Sequence, residues 1–151
     1  KLLAMTASDP RPWQAVAIGR GNAWNPGTSV LGPVSAEFAR LVLADLIDLY
    51  RTGLTQPLAL PMQTAAEYAE FRRSKPDVPI RNVQGRLAKL FENRDRDAAY
   101  QNFFGEDFGY QELLKPRSVN TEQRGSLAEP SRFGTLARRL WHPLLLSEEL
   151  S

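Results

Sequence analysis

The sequence contains no cysteine and a single histidine, His142. Disulfide bonds and thiolate metal sites are therefore excluded, and so is a histidine-rich metal site. Only carboxylates could hold a cation, and we predict no metal, no cofactor and no catalytic residue. The lack of cysteine fits a reducing compartment, so we expect a cytoplasmic location.

Long apolar runs are also missing. The longest is interrupted by Asp45 and Asp48, which leaves nothing long enough to cross a bilayer. The apolar part of the first seven residues is too short for a signal peptide, and we interpret these residues as the end of a helix. We expect no membrane association. The formal net charge of +2 is too small to predict nucleic-acid binding by itself.

Hydrophobic residues make up 42% of the 151 residues and charged residues 24%, which is typical of a globular protein. We expect one domain over residues 1–151, with a core of its own. Residues 115–130 are polar and contain two prolines and a glycine, and they predict a flexible loop.

The apolar residues predict one or two strands. Trp13–Arg20 is apolar at both odd and even positions, which is typical of a buried strand. Val30 and Leu31 form a second candidate strand. Because a lone buried strand cannot satisfy its backbone groups, we expect it to pair with strands outside this chain. This favours a part of a larger α/β domain.

Helices predominate in the remaining sequence. The strongest begins at Ser35, a good N-cap, and is expected to end at Gly53. Its apolar residues spread beyond one stripe, which predicts packing on two sides. Thr64 and Glu67 have the spacing of a capping box for a short helix. Further helical segments are predicted at 82–92, 97–105 and 108–114.

The last predicted helix begins at Ser131. Phe133, Leu140 and Trp141 lie on its apolar face and are expected to be mostly buried. Pro143 should kink the helix or end it.

A basic stretch between Arg72 and Asp97 is the candidate functional feature. It holds eight basic and four acidic residues, a local excess of 8 − 4 = +4. Such a cluster can bind phosphates without reading base sequence, although a solvated surface has the same composition. The candidate DNA-binding residues are Arg72, Arg73, Lys75, Arg81, Arg86 and Lys89.

Pro76 and Asp77 match the first half of a PD-(D/E)xK nuclease signature. That chemistry also requires an acid-x-Lys pair, so that two carboxylates hold Mg²⁺ and a lysine assists the water. Two residues before Lys89 stands Leu87, not an acid. We therefore interpret Pro76 and Asp77 as part of a loop.

Five segments, taken in order, resemble the C-terminal domain of the RecC family, the gamma subunit of exodeoxyribonuclease V (RecBCD). The version in high-GC Gram-positive bacteria is the most similar. The resemblance covers most of the chain and is weakest between Pro76 and Pro130. The segments are Trp13–Arg20, Leu43–Leu54, Gln56–Pro61, Ala65–Ala69 and Pro130–Trp141.

This resemblance implies a helix-dominated α/β fold with few strands, part of a degenerate PD-(D/E)xK nuclease-like domain. It implies a non-catalytic scaffold or DNA-channel role in double-strand-break repair and recombination. The implied partners are RecB-like and RecD-like subunits and DNA. Two alternatives remain open: a divalent-metal nuclease whose metal ligands lie outside this chain, and a protein-interaction module that uses Trp24, Phe103 and Phe104.

Overall fold

The computed structural model describes residues 1–20, 26–116 and 129–150, without the side chains of Arg20 and Leu150. The chain divides into two compact units. Unit 1 comprises Lys1–Thr52 and Pro143–Ser151, and unit 2 comprises Gly53–His142. The single domain expected over 1–151 stays a prediction. Most of the loop predicted at 115–130 lies outside the described residues.

Unit 1 contains a three-stranded antiparallel sheet in the order β1-β2-β3. The strands are β1 (Ala15–Arg20), β2 (Pro26–Leu31) and β3 (Glu148–Leu150). One edge of β1 thus has a partner within the chain, contrary to our expectation that its partners lie elsewhere. The prediction of a buried strand is wrong: Val16 is 61% and Ile18 75% exposed, because β1 lies at the sheet edge.

Unit 1 also contains α1 (Leu2–Ser8), most of α2 (Ala36–Thr55) and the end of the last helix, which is described below. The predicted N-cap is confirmed, since the Ser35 hydroxyl accepts a 3.1 Å hydrogen bond from the Phe38 amide. Gly53 does not end α2, because it lacks the positive φ of a helix-ending glycine. The prediction that α2 packs on two sides is also wrong, since Leu41 and Tyr50 are 65% and 67% exposed.

The regular elements in the described part of unit 2 are helices, apart from an isolated bridge between Pro116 and Ser131. Its helices are short, and an irregular helical turn lies on each side of α4. In chain order they are α3 (Met62–Ser74), a 3₁₀ turn (Ile80–Asn82), α4 (Gln84–Leu90), a π-helical turn (Phe91–Asp95), α5 (Ala98–Phe104) and α6 (Tyr110–Leu113), followed by the first part of α7 (Arg132–Ser147).

The start of α3 depends on a distant residue. Asp95 in the π-helical turn accepts hydrogen bonds from the Gln63 and Thr64 amides (3.1 and 2.7 Å) and from the Thr64 hydroxyl (2.7 Å). The predicted capping box is therefore wrong: α3 begins earlier, at Met62, and a carboxylate from a different turn caps it. The helix predicted at 97–105 is confirmed as α5, and Asp97 caps it by accepting a hydrogen bond from the Tyr100 amide at 2.8 Å.

The core of unit 2 is aromatic. Tyr68, Phe91 and Phe133 are at most 2% exposed. The Tyr68 and Phe133 rings meet edge to face with centroids 5.3 Å apart, and Phe91 meets Tyr100 in the same way at 5.4 Å. Each such pair contributes about 0.5–1.5 kcal/mol beyond the area it buries. The helices of unit 2 are therefore held together by their own side chains.

Helix α7 begins as predicted, with the Ser131 hydroxyl accepting from the Gly134 amide at 3.1 Å. Phe133 is buried, and Leu140 and Trp141 are mostly buried as expected, with Trp141 packed against the aromatic core. Pro143 does not end the helix, which continues to Ser147. A proline inside a helix lacks a backbone donor and crowds the preceding turn, and here the last turn gains a 2.8 Å bond from the Ser147 hydroxyl to the Pro143 carbonyl. None of the described helices has the length and apolar character needed to cross a membrane.

Candidate nucleic-acid interface

The six basic residues predicted to bind DNA all lie in unit 2. Two belong to the last turn of α3, two to the connection after it and two to α4. In that order they are Arg72 and Arg73, Lys75 and Arg81, and Arg86 and Lys89. Helix α4 packs against α3. The structure therefore brings the six residues onto two neighbouring helices and the segment between them.

Arg72 points inward. Its guanidinium donates to Glu129 at 2.8 Å and to the Val78 carbonyl at 3.3 Å, and its side chain is only 15% exposed. Burial alone would lower the pKa of Arg72, but its interactions with Tyr68 and Glu129 outweigh that effect and raise the pKa. The charge of Arg72 is thus neutralised within the fold.

Glu129 is the centre of this buried network. Its carboxylate, 4% exposed, also accepts from the Tyr68 hydroxyl and from the Arg138 guanidinium, each at 3.0 Å. Burial, followed by the charge of Glu129, raises the pKa of Tyr68 to about 12. Three donors from α3 and α7 converge on one carboxylate, which fixes the two helices to the segment that leads into α7.

Arg73 and Arg86 lie at the surface with acidic partners. Arg73 binds both oxygens of Glu70 one turn earlier, at 2.8 and 2.9 Å. Arg86 of α4 reaches Glu67 of α3 at 2.7 Å. Exposed pairs of this kind contribute about 0.2–1 kcal/mol, so either arginine can exchange its partner for a phosphate at small cost.

Lys75, Arg81 and Lys89 are exposed and form no ion pair with any residue in the described part of the chain. We call these three the outward cations. The predicted set of six thus separates into one inward arginine, two paired arginines and three outward cations. A DNA-binding role for the six stays a prediction.

Three residues near the predicted basic set were not part of it: Glu129, Arg138 and Arg94. Glu129 and Arg138 lie 9 residues apart and meet only because Glu129 folds back onto α7. No local spacing signals that contact. Arg94 was part of the basic stretch but not of the predicted set, and it lines a cleft of about 340 Å³ beside α5.

The aromatic residues proposed for protein interaction differ in exposure and packing. Phe103 is 75% exposed and lines the same cleft as Arg94. Phe104 packs against Tyr100 and Phe108, with ring centroids 4.6 and 5.2 Å apart. Trp24 lies outside the described residues.

The acidic residues of the basic stretch differ in environment. Asp95 and Asp97 are engaged as helix caps, while Asp77 is exposed on a turn. Across residues 1–20, 26–116 and 129–150, no group of three or more His, Cys, Asp or Glu side chains is arranged to hold a metal ion.

Comparison with known proteins shows which protein subunit the chain resembles. Residues 1–73 match the family model described as RecC C-terminal domain. Over 97% of its length the chain is 33% identical to the RecBCD enzyme subunit RecC of Mycolicibacterium smegmatis. The same subunit of Mycobacterium tuberculosis is 34% identical over 97% of the chain. The chain is thus similar to the C-terminal part of RecC subunits.

These RecC relatives come from mycobacteria, which confirms the predicted resemblance to the high-GC Gram-positive type. The chain spans 13% of the length of each relative. The outward cations lie beyond the 1–73 match but within the region shared with the relatives. No solved structure matches the chain.

Proposed function

We propose that the chain is a non-catalytic part of a RecC-like subunit, working in a RecBCD-type helicase–nuclease during double-strand-break repair and recombination. Its partners are RecB-like and RecD-like subunits and DNA, and its location is the cytoplasm. The identity of 33–34% with RecC over 97% of the chain carries this proposal. The helix-dominated fold with a small sheet is assigned to a degenerate nuclease-like domain on the same basis.

The use of its carboxylates supports a structural role. Asp95 and Asp97 are occupied with backbone amides, and Glu129 is enclosed by three donors. A carboxylate that accepts several hydrogen bonds has few lone pairs left for a cation. These acids stabilise the fold, which is the expected use of acidic residues in a domain that scaffolds and does not cleave.

Asp77 offers a direct test, since it is the exposed acid of the partial nuclease signature. In the assembled enzyme, Asp77→Ala should leave Mg²⁺-dependent DNA cleavage unchanged within about twofold, and Asp107→Ala serves as an exposed control. Removal of a metal-holding carboxylate would remove most of the activity. A tenfold loss with Asp77→Ala alone would contradict the non-catalytic role.

The outward cations are the groups best placed to contact DNA. Lys75, Arg81 and Lys89 have no acidic partner among the described residues, so a phosphate would displace only water and counterions. Three such contacts give weak, sequence-independent binding. The logarithm of the affinity should fall by about 0.9 per phosphate contact for each tenfold rise in salt concentration. Arg72 is excluded from the test set because its loss would disturb the Glu129 network.

The test is a triple variant, Lys75→Gln, Arg81→Gln and Lys89→Gln. A control variant with the same charge change of −3 carries Arg11→Gln, Arg51→Gln and Lys115→Gln, all exposed. Fluorescence anisotropy of the RecC-like subunit with labelled oligonucleotides at several salt concentrations measures the affinity. We expect the triple variant to bind all sequences more weakly, with a salt slope lower by about 2–3 than that of the control. Equal affinities and slopes for the two variants would overturn the assignment.

A further inference from the structure

The sheet of unit 1 has two edges that differ in length and charge. The β3 edge is three residues long and carries Glu148 and Glu149. The β1 edge is six residues long and has no charge and no proline from Ala15 to Gly19. The register between β1 and β2 runs one to one from Ala15↔Leu31 to Arg20↔Pro26, without a bulge.

Protein sheets commonly protect their edges with short strands, charges, prolines or bulges, because an open edge pairs with other chains. The β3 edge has two of these features, short length and charge. The β1 edge has none of them between Ala15 and Gly19, and in the described part of the chain β1 pairs with β2 alone. An open regular edge supplies a row of backbone donors and acceptors to a further strand.

The side chains of β1 agree with this interpretation. Val16 and Ile18 point to one face of the sheet and are 61% and 75% exposed. Both would bury apolar surface if a neighbouring strand placed apolar side chains beside them, at about 25 cal/mol per Å². An isolated solvated strand would be expected to carry polar residues at these positions.

We infer that the open edge of β1 binds a further β-strand with apolar side chains beside Val16 and Ile18, supplied by the same polypeptide outside this chain. The inference rests on the proposed function in one respect, that the chain is part of a longer RecC-like polypeptide. The relatives support that source, since the chain spans only 13% of their length. A tethered strand also acts at millimolar effective concentration, which a separate partner does not reach.

Hydrogen exchange of the long polypeptide, purified without other subunits, tests the inference. In an antiparallel edge strand about half of the amides point away from the sheet and exchange fast, while in an interior strand all are protected. We expect slow exchange at all six residues of Ala15–Arg20 in the long polypeptide. Fast exchange at alternate positions would show that the edge is open and would overturn the inference.

A substitution pair provides a second readout. Ile18→Lys should restore fast exchange in β1 of the long polypeptide, because a lysine displaces the apolar neighbour. Leu41→Lys, at a residue of α2 that is 65% exposed in the same unit, should leave exchange in β1 unchanged. Equal exchange in the two variants would contradict the proposed neighbour.

Two other occupants give different results. A second copy of the polypeptide would make the protection of β1 rise with protein concentration, and a RecB-like or RecD-like partner would produce it only when added. Either result overturns the inference. A failure of the proposed function would appear as a lack of association with RecB-like and RecD-like subunits, which this measurement on one polypeptide does not require.

Discussion

Among the described residues, buried hydrophobic side chains concentrate in unit 2 and large exposed ones concentrate in unit 1. Within the described residues, unit 2 has ten buried hydrophobic residues and unit 1 has three, Ala39, Val42 and Leu49. Large exposed hydrophobic residues show the reverse, with eight in unit 1 and three in unit 2. Unit 2 therefore has a core of its own, while unit 1 presents surfaces that other protein segments can cover.

The contrast also holds for charged groups. The main ion cluster of unit 2 encloses Glu129, whose side chain is 4% exposed. Unit 1 contains the pair Asp9–Arg11 at 2.6 Å, with side chains 46% and 66% exposed. Water screens the second pair and not the first, so removal of one charge should have very different consequences in the two units.

The largest difference is expected from the same substitution in each unit. Leu87→Ala removes a leucine of α4 that is 0% exposed, and Leu41→Ala one of α2 that is 65% exposed. Urea denaturation should show a loss of about 3–5 kcal/mol for Leu87→Ala. For Leu41→Ala the change should stay within about 0.5 kcal/mol. A loss of 2 kcal/mol or more at Leu41 would mean that α2 is covered in solution.

Removal of a carboxylate charge should give the next largest difference. Glu129→Gln leaves Arg72 and Arg138 without their buried counterion and should cost about 2–4 kcal/mol. Asp9→Asn makes the same charge change in the exposed pair of unit 1 and should cost less than about 1 kcal/mol. Similar losses in the free energy of unfolding would contradict the structural role of the Glu129 network.

Two glycine substitutions compare packing in the two units. A methyl group at Gly134 would lie 2.6 Å from the Tyr68 hydroxyl oxygen and 2.9 Å from the Glu129 Cβ, whereas nothing lies within 4 Å at Gly19 of β1. Gly134→Ala should destabilise by about 1–3 kcal/mol through overpacking. Gly19→Ala should be neutral or stabilise by up to about 1 kcal/mol. Thermal melting of both variants measures the difference, and a higher melting temperature for Gly134→Ala would refute the close approach of Tyr68.

The smallest effect is expected from the titration of His142 in unit 2. Burial, and then the charges of Arg138 and Arg73, lower the pKa of His142 below its usual value of 6.5. The unfolded state therefore takes up a proton first, and stability that is complete above pH 6.5 declines as the pH falls toward the folded pKa. The free energy of unfolding of the His142→Gln variant, measured by urea denaturation, should decline less between pH 7.5 and 5.5 than that of the unsubstituted protein. If the variant and the unsubstituted protein lost the same stability over this pH range, groups other than His142 would cause the pH dependence.

Local sequence signals predicted much of the fold. Ser35 was predicted as a helix N-cap, and a 3.1 Å hydrogen bond confirms it. Helices were predicted to start at Asp97 and Ser131, and in the structure these two residues cap α5 and α7. The helix-dominated fold with few strands followed from the spacing of apolar residues. These signals act over three or four residues, so they are readable without knowledge of distant contacts.

The errors share one cause. Asp95 caps α3 from 31 residues away, and a capping box within α3 was predicted in its place. The apolar residues of β1 predicted burial, but a hydrophobic pattern does not reveal whether a covering layer is present. Among the candidate DNA-binding residues, the sequence treated Arg72 and Lys75 alike, and only the fold directs one to Glu129 and the other to solvent.

The sequence by itself determined the helical character, the Ser35 cap of α2 and the resemblance to RecC, because each depends on residues close together or on their order along the chain. The tertiary structure alone decided which charges are buried in ion pairs, which are exposed to solvent and which apolar surfaces stay open. Glu129 neutralises Arg72 and Arg138 through contacts across 57 and 9 residues. Coulomb energy and burial depend on distance in space, which the linear sequence does not contain.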